Sequence, residues 1–144
     1  MNRDRLVAGI LGGLFALQGL GKLADMAGYQ RDLEAFEWPG GISVVLVSWV
    51  WMLLELGGGL LVLGGQRPGS ARRGLGWGIG VLLGLSLAYT ALNGRAYWLD
   101  LPIGNCTCFG VFAAQPLSAF VLFQDVVVVA WAAFVLRGHQ RRRG

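Results

Sequence analysis

The sequence predicts an all-α fold: a bundle of four helices that cross a lipid bilayer. Of its 144 residues, 55% are hydrophobic and only 14% are charged, and the mean hydropathy is +0.57. An ordinary soluble domain carries about 25% charged residues. Four long apolar runs account for the difference, and a chain of this length has room for one domain. We therefore expect a single transmembrane domain over residues 1–144.

The four apolar runs predict helices at about residues 6–24, 42–64, 75–93 and 117–136. About 20 residues at 1.5 Å each span a hydrocarbon core of about 30 Å. Helices are expected because every backbone polar group in hydrocarbon needs an internal partner. The first run is longer than the usual signal-peptide core of about 7–15 residues, and no clear cleavage site follows it. We expect it to be a retained span.

Basic residues predict the orientation of the bundle. Both termini are expected in the cytoplasm, and the segments 25–41 and 94–116 outside, because loops rich in lysine and arginine stay inside. The basic C-terminal tail is interpreted as an anchor near anionic lipid, and no nucleic-acid partner is expected. Nine of the twelve basic residues lie on the inner side: Arg3, Arg5, Arg67, Arg72, Arg73, Arg137, Arg141, Arg142 and Arg143.

The connections and the glycines carry two further predictions. The first outer segment, 25–41, places Leu33, Phe36 and Trp38 between charged residues, a pattern that indicates a short helical turn at the interface. In the third run, glycines at four-residue spacing predict a close helix–helix contact, because small residues let helices approach. These glycines are Gly76, Gly80 and Gly84.

Four polar side chains fall within or at the edge of the spans: Gln18, Lys22, Glu55 and Asp125. Each needs a partner or a purpose, since a charge at the bilayer centre costs about 2.5–3.5 kcal/mol. We expect Lys22 to pair with Asp125, with Gln18 and Gln124 as hydrogen-bond neighbours. Glu55, about 20 Å down its helix, has no obvious cation at its depth. The group is either an ion pair that fixes helix register or a polar pocket beneath the cysteines.

The stretch "GNCTCFG" holds both cysteines, Cys106 and Cys108, in the second outer segment. Disulfides persist outside the cytosol. A bridge between residues i and i+2 needs a bent backbone and is easily reduced. It also closes too small a loop to add much stability. Thiol–disulfide exchange is therefore the favoured use of the pair.

Metal binding is the competing chemistry for these thiolates. A closed zinc site needs four ligands. The single histidine, His139, lies in the tail on the opposite side, and no methionine flanks the pair. We therefore expect no metal. The sequence also offers no nucleophile–histidine–aspartate set and no phosphate-binding loop, which excludes hydrolase chemistry.

Several motifs resemble the MauE/DoxX family of redox-associated four-helix membrane proteins. They are "GKLAD" at the end of the first span, "ELGGGLLVLGG" in the second, and "CTCFG" before the fourth. The resemblance covers nearly the whole chain. It implies that Lys22, Glu55, Cys106, Cys108 and Asp125 occupy the family's characteristic polar positions. One departure is Gln124, where such proteins often carry an arginine; the resemblance then implies that Asp125 relies more on Lys22.

The resemblance implies an accessory redox protein in a bacterial inner membrane. MauE is associated with maturation of a disulfide-rich dehydrogenase alongside a thioredoxin-like partner, and DoxX-like proteins with thiol redox, some with quinone. We therefore expect a membrane thiol–disulfide oxidoreductase that exchanges electrons with an extracytoplasmic thioredoxin-like protein or a small thiol. A quinone near Trp49, Trp51 or Tyr89 is a further expectation.

The alternative is a non-catalytic assembly subunit that stabilises a partner redox enzyme, in a homo- or hetero-oligomer. Ion or metal transport is disfavoured because the spans contain too few polar residues for a continuous path.

Overall fold

A computed structural model describes residues 3–38, 42–66, 72–106 and 115–141 of the chain. Within these ranges the chain forms five helices: α1 (Arg3–Ala24), α2 (Met26–Glu34), α3 (Val44–Gly64), α4 (Arg72–Trp98) and α5 (Ala119–Arg141). All except α2 are long and apolar enough to cross a membrane. The predicted all-α fold with four helices able to span a membrane is confirmed for the described residues. Helices α4 and α5 run several residues past their apolar runs, because helical hydrogen bonding continues into the polar flanks.

The four long helices form a ring in which each packs against its neighbours in chain order. Helix α1 packs on α3, α3 on α4, and α4 on α5, while α5 returns to make a smaller contact with α1. The main core lies between them and includes the fully buried Leu11, Val62, Ile79 and Leu82. The small seam between α5 and α1 leaves a cleft in the wall of the bundle, which is described below.

Glycines bring α1 and α3 into backbone contact. A Cβ added at Gly59 of α3 would lie 2.6 Å from the carbonyl oxygen of Gly12 and 2.7 Å from the backbone nitrogen of Ala16 in α1. The glycine contact predicted for the third span is wrong at two of its three positions: Gly80 and Gly84 have nothing within 4 Å of an added Cβ. Spacing alone does not decide which face of a helix meets a neighbour.

Helix α2 confirms the helical turn predicted in the first connection. Its N-cap is Asp25, whose side chain accepts a hydrogen bond from the backbone nitrogen of Gly28 at 2.9 Å. The absence of a side chain at Gly28 lets the carboxylate approach, since an added Cβ would lie 2.2 Å from its oxygen. Tyr29 and Leu33 are buried, so the amphipathic helix covers one end of the bundle with its apolar face.

The cysteine segment begins where α4 ends. The backbone nitrogens of Asp100 and Leu101 donate to the carbonyl oxygens of Tyr97 and Ala96, and Asp100 adopts a φ of 53°. This is a Schellman motif with aspartate in the left-handed position that glycine usually takes. It turns the chain back across the end of the bundle, towards Cys106.

The cysteine segment and the α2 region form one packed cap. Phe36, Ala96 and Ile103 share a buried cluster. Arg95 donates from Nη1 to the carbonyl oxygen of Phe36 at 2.9 Å, and Asn105 donates from Nδ2 to Asp32 Oδ2 at 2.8 Å. The two arms of the loop are joined by backbone hydrogen bonds, Cys106 to Gln115 at 2.8 Å and Leu117 to Ile103 at 3.1 Å. Cys108 lies outside the described residues.

Candidate functional site

A buried polar cluster of three side chains lies directly beneath this cap. Lys22 Nζ lies 2.5 Å from Glu55 Oε1, 2.6 Å from Glu55 Oε2 and 2.5 Å from the hydroxyl oxygen of Tyr89. The Tyr89 hydroxyl donates in turn to Glu55 Oε1. Lys22 and Glu55 are 0% exposed. Three helices, α1, α3 and α4, thus each contribute one member to a closed hydrogen-bonded ring.

Aromatic rings enclose the lysine of this cluster. The Lys22 ammonium lies 5.2 Å from the centroid of the Tyr29 ring and 4.9 Å from that of the Tyr89 ring, distances typical of cation–π contacts. Tyr29 belongs to α2 and is 3% exposed. Helix α2 therefore seals the end of α1 and prevents Lys22 from reaching water.

The structure corrects the expected pairing of Lys22. The expectation of a Lys22–Asp125 pair is wrong: the ammonium binds both carboxylate oxygens of Glu55, the residue for which no cation was expected. A helical side chain leans towards the N-terminus of its own helix, which here is deeper into the bundle. The four-carbon stem of Lys22 therefore reaches down to the level of Glu55. The depth of a carboxylate below the helix end therefore does not determine which one the ammonium meets.

Asp125 instead belongs to a second polar group. Its Oδ2 accepts a hydrogen bond from Asn93 Nδ2 at 2.8 Å. Asn93 is 0% exposed. The sequence did not predict Asn93 as the partner of Asp125, nor Tyr89 as a partner of Glu55. The signal was present in the sequence: Ser86, Tyr89 and Asn93 recur at helical spacing and form a polar stripe along one face of an apolar helix.

Cys106 belongs to the same buried cluster as the tyrosine of the hydrogen-bonded ring. Tyr89, Cys106 and Val121 form one buried cluster, against which Trp51 and Leu117 pack. Cys106 is 1% exposed. The rings of Trp51 and Tyr89 lie 5.2 Å apart between centroids. The cysteine is therefore held within the protein, in one cluster with the residue that binds both Lys22 and Glu55.

The remaining predicted site residues line a cleft of about 260 Å³ between α1, α4 and α5. Gln18, Gln124 and Asp125 lie in its wall together with Tyr89. The polar pocket expected from Gln18, Lys22, Glu55 and Asp125 is thus divided into two groups, which Tyr89 joins. No group of three potential metal ligands occurs within the described part of the chain.

Comparison with protein families finds one whose model, described as "Methylamine utilisation protein MauE", matches residues 4–138 of this chain. Curated proteins and solved structures give no match.

Proposed function

This chain belongs to the MauE family of multi-pass membrane proteins, and we propose that it is a thiol–disulfide redox protein. Cys106 and Cys108 exchange electrons with an extracytoplasmic thioredoxin-like protein or a small thiol, at the outer face of a bacterial inner membrane. The observation that carries the proposal is the burial of Cys106 in one cluster with Tyr89, whose hydroxyl is hydrogen-bonded to Lys22 and Glu55.

The burial of Cys106 assigns different roles to the two sulfurs. A protein partner cannot reach a side chain that is 1% exposed, so we assign the attack on the partner to Cys108. The thiolate of Cys108 attacks a sulfur of the partner's disulfide and releases the partner's other sulfur as a thiolate. The thiolate of Cys106 then attacks Cys108 in the mixed disulfide, which yields a Cys106–Cys108 disulfide and a partner dithiol. The reverse sequence reduces the pair.

Each exchange requires Cys106 to lose or gain a proton while its side chain is buried. The Tyr89 hydroxyl accepts a hydrogen bond from Lys22 and donates one to Glu55, so a proton can move along this ring without a charge crossing the apolar core. We assign Tyr89 as the positioning residue for this proton. The Lys22–Glu55 pair supplies the proton or takes it up. General acid–base assistance of this kind contributes about 10²–10⁴-fold to a rate.

Trapping of the mixed disulfide tests the roles of the cysteines. The Cys106→Ser variant, in membranes with the periplasmic proteins present, is expected to accumulate a disulfide between Cys108 and a thioredoxin-like protein, detected as a band that dithiothreitol removes. The Cys108→Ser variant is expected to give no such band. Trapping through Cys106 alone would reverse the assignment, and a purified protein inert to every thiol or disulfide offered would refute exchange.

A matched pair of tyrosine variants tests the proton path. Tyr89→Phe keeps the ring and removes the hydroxyl, and it is expected to slow reduction of the cysteine pair at least tenfold and to change its dependence on pH. Tyr97→Phe makes the same change at a half-exposed position of the same helix and is expected to react at the wild-type rate. Stopped-flow reduction by dithiothreitol measures both. Equal rates for the two variants would show that Tyr89 only fills space.

A second function, a non-catalytic assembly subunit, is favoured by one observation: the cap is fastened at several points, as a rigid docking surface would be. In that case the doubly substituted Cys106→Ser, Cys108→Ser protein would support its partner enzyme fully. Thiol exchange predicts that this variant supports none of the partner's maturation.

A further inference from the structure

Asp125 is a carboxyl within a membrane-spanning helix that the proposed thiol exchange does not use. It lies six residues after Ala119, the first residue of α5, and so about 9 Å along that helix. The side chain is 9% exposed, and its Oδ2 accepts a hydrogen bond from the amide of Asn93. An ionised carboxylate is costly in a span. A protonated acid avoids that cost and still accepts from the amide.

The cleft between α1, α4 and α5 brings the lipid to the site of Asp125, which lies in its wall. Phe120 and Phe123 of α5 line the same cleft and are 62% and 64% exposed. In a membrane these two side chains contact acyl chains, because α5 is one of the four helices able to span it. A small apolar molecule dissolved in the bilayer can therefore enter the cleft without crossing water.

The described lining of the cleft offers this carboxyl hydrogen bonds but no cation. The polar residues that line the cleft with it are Gln18, Ser86, Tyr89 and Gln124. No lysine, arginine or histidine is among the described lining residues. The Lys22 ammonium binds the Tyr89 hydroxyl and both carboxylate oxygens of Glu55. Cys106, the other titratable group of this region, belongs to the buried cluster of Tyr89.

The two carboxyls within the described spans, Glu55 and Asp125, therefore have different environments. Glu55 is 0% exposed against an ammonium and does not line the cleft. Carboxyls in different environments take different protonation states, and one in apolar surroundings is neutralised. We propose that Asp125 binds a proton at neutral pH and is, in that state, a modification site for lipid-soluble carbodiimides. Because Tyr89 lines the same cleft, Asp125 is a second proton site beside the hydrogen-bonded ring.

The modification is an addition in which no group leaves and nothing is oxidised or reduced. The acid O–H adds across one C=N bond of the carbodiimide, so that the proton goes to nitrogen and the carboxyl oxygen to the central carbon. The resulting O-acylurea rearranges to a stable N-acylurea. An aspartate in water has a pKa of about 3.9 and has lost this proton at neutral pH. An adduct therefore identifies a carboxyl that is both protonated and reached from the lipid.

Labelling is tested with the full chain in lipid nanodiscs at neutral pH, and the probe is dicyclohexylcarbodiimide. We expect an adduct on Asp125, located by mass spectrometry of peptides. Asp125→Asn, which keeps an oxygen able to accept from Asn93, is expected to lose the adduct, and Asp125→Glu to retain one. Glu55 is expected to stay unlabelled. Glu34, exposed at the end of α2, is expected to react only with a water-soluble carbodiimide.

The position of the adduct in the wild-type protein decides the matter even if Asp125→Asn fails to fold. An adduct on Glu55 with none on Asp125 would overturn the proposal, as would the absence of any adduct. An adduct of undiminished yield in a folded Asp125→Asn protein would overturn it too.

Infrared spectroscopy detects the proton without the reagent. At neutral pH the wild type is expected to show the C=O stretching band of a protonated carboxyl. This band is expected to disappear in Asp125→Asn and in wild-type protein that has been fully labelled. A wild-type spectrum without the band, or one unchanged by both treatments, would show that Asp125 is ionised and would overturn the proposal.

The Cys106→Ser, Cys108→Ser protein separates this inference from the proposed function. Neither cysteine lines the cleft in the described structure, so this variant is expected to give the same adduct and the same infrared band as the wild type. Labelling of a wild-type protein that shows no thiol exchange would retain the proton site and refute the redox role. Thiol exchange by a protein that cannot be labelled at Asp125 would do the opposite.

Discussion

Lys22 and Glu55 show how two charges are accommodated within an apolar bundle. The ammonium contacts both carboxylate oxygens and the Tyr89 hydroxyl, and the rings of Tyr29 and Tyr89 lie over it. A buried ion pair is stabilising only when its geometry is good and its remaining hydrogen-bonding groups are satisfied. The ring of contacts provides this, which makes each charge strongly dependent on the other.

We expect removal of one charge to be far more harmful than removal of both. Lys22→Met leaves Glu55 buried without its cation and should lower the free energy of unfolding by about 3–5 kcal/mol. The double variant Lys22→Met, Glu55→Met should recover most of this loss, because apolar side chains can replace a buried pair. Denaturant unfolding in mixed micelles measures both.

The control for this cycle is Arg31→Met, which removes an exposed charge on α2 and should change stability by less than about 0.5 kcal/mol. A double variant as unstable as Lys22→Met alone would contradict the coupling. A stable double variant that has lost thiol exchange would show that the pair is kept for chemistry.

At the scale of the helices, the contact between α1 and α3 is the structural basis of the site. Gly12 and Gly59 allow backbone atoms of the two helices to touch, and an added Cβ at Gly19 would lie 2.9 Å from the backbone nitrogen of Leu56. Leu56 follows Glu55 directly, and Gly19 lies three residues before Lys22. The close approach of the two helices therefore sets the distance across which Lys22 and Glu55 meet.

Two glycines in α3, two residues apart, provide a matched test of this contact. Gly59→Ala places a Cβ 2.6 Å from the Gly12 carbonyl oxygen and should cost about 1–3 kcal/mol of stability as the helices separate. Gly57→Ala adds the same group where nothing lies within 4 Å and should be neutral or slightly stabilising, since alanine favours helix. Thermal unfolding of the two variants compares them. Equal melting temperatures would show that α1 and α3 do not depend on this contact.

At the scale of the whole molecule, the two ends of the bundle differ in character. The start of α1 and the end of α3 lie together, since an added Cβ at Gly9 would lie 3.1 Å from the Gln66 side chain. The exposed Arg5, Arg137 and Arg141 belong to helix ends on that side. The opposite end carries the packed cap of α2 and the cysteine segment. This asymmetry is the basis for proposing that the cap faces outward.

Cysteine labelling in intact cells tests that orientation. In a Cys106→Ser, Cys108→Ser background, a membrane-impermeant maleimide should label Glu34→Cys, at an exposed position at the end of α2, without permeabilisation. Gln140→Cys, exposed in the last turn of α5, should be labelled only after the cells are opened. The opposite pattern would place the cysteine segment in the cytosol, where a persistent disulfide is not expected.

The sequence by itself determined the fold class, the four spans and the amphipathic α2, because these depend on local hydropathy and on periodicity along one helix. It also identified Lys22, Glu55, Asp125 and Cys106 as residues that need an explanation, since a polar group in an apolar span is costly wherever its partner lies.

Only the tertiary structure decided which of these side chains meet. Pairing depends on the rotation of each helix about its axis and on the direction of its side chains. Because the lipid-facing and core-facing sides of a membrane helix are both apolar, the sequence carries little information about that rotation. Hence Lys22 binds Glu55 rather than Asp125, Gly59 rather than Gly80 makes the close contact, and Tyr89 joins the cysteine to both polar groups.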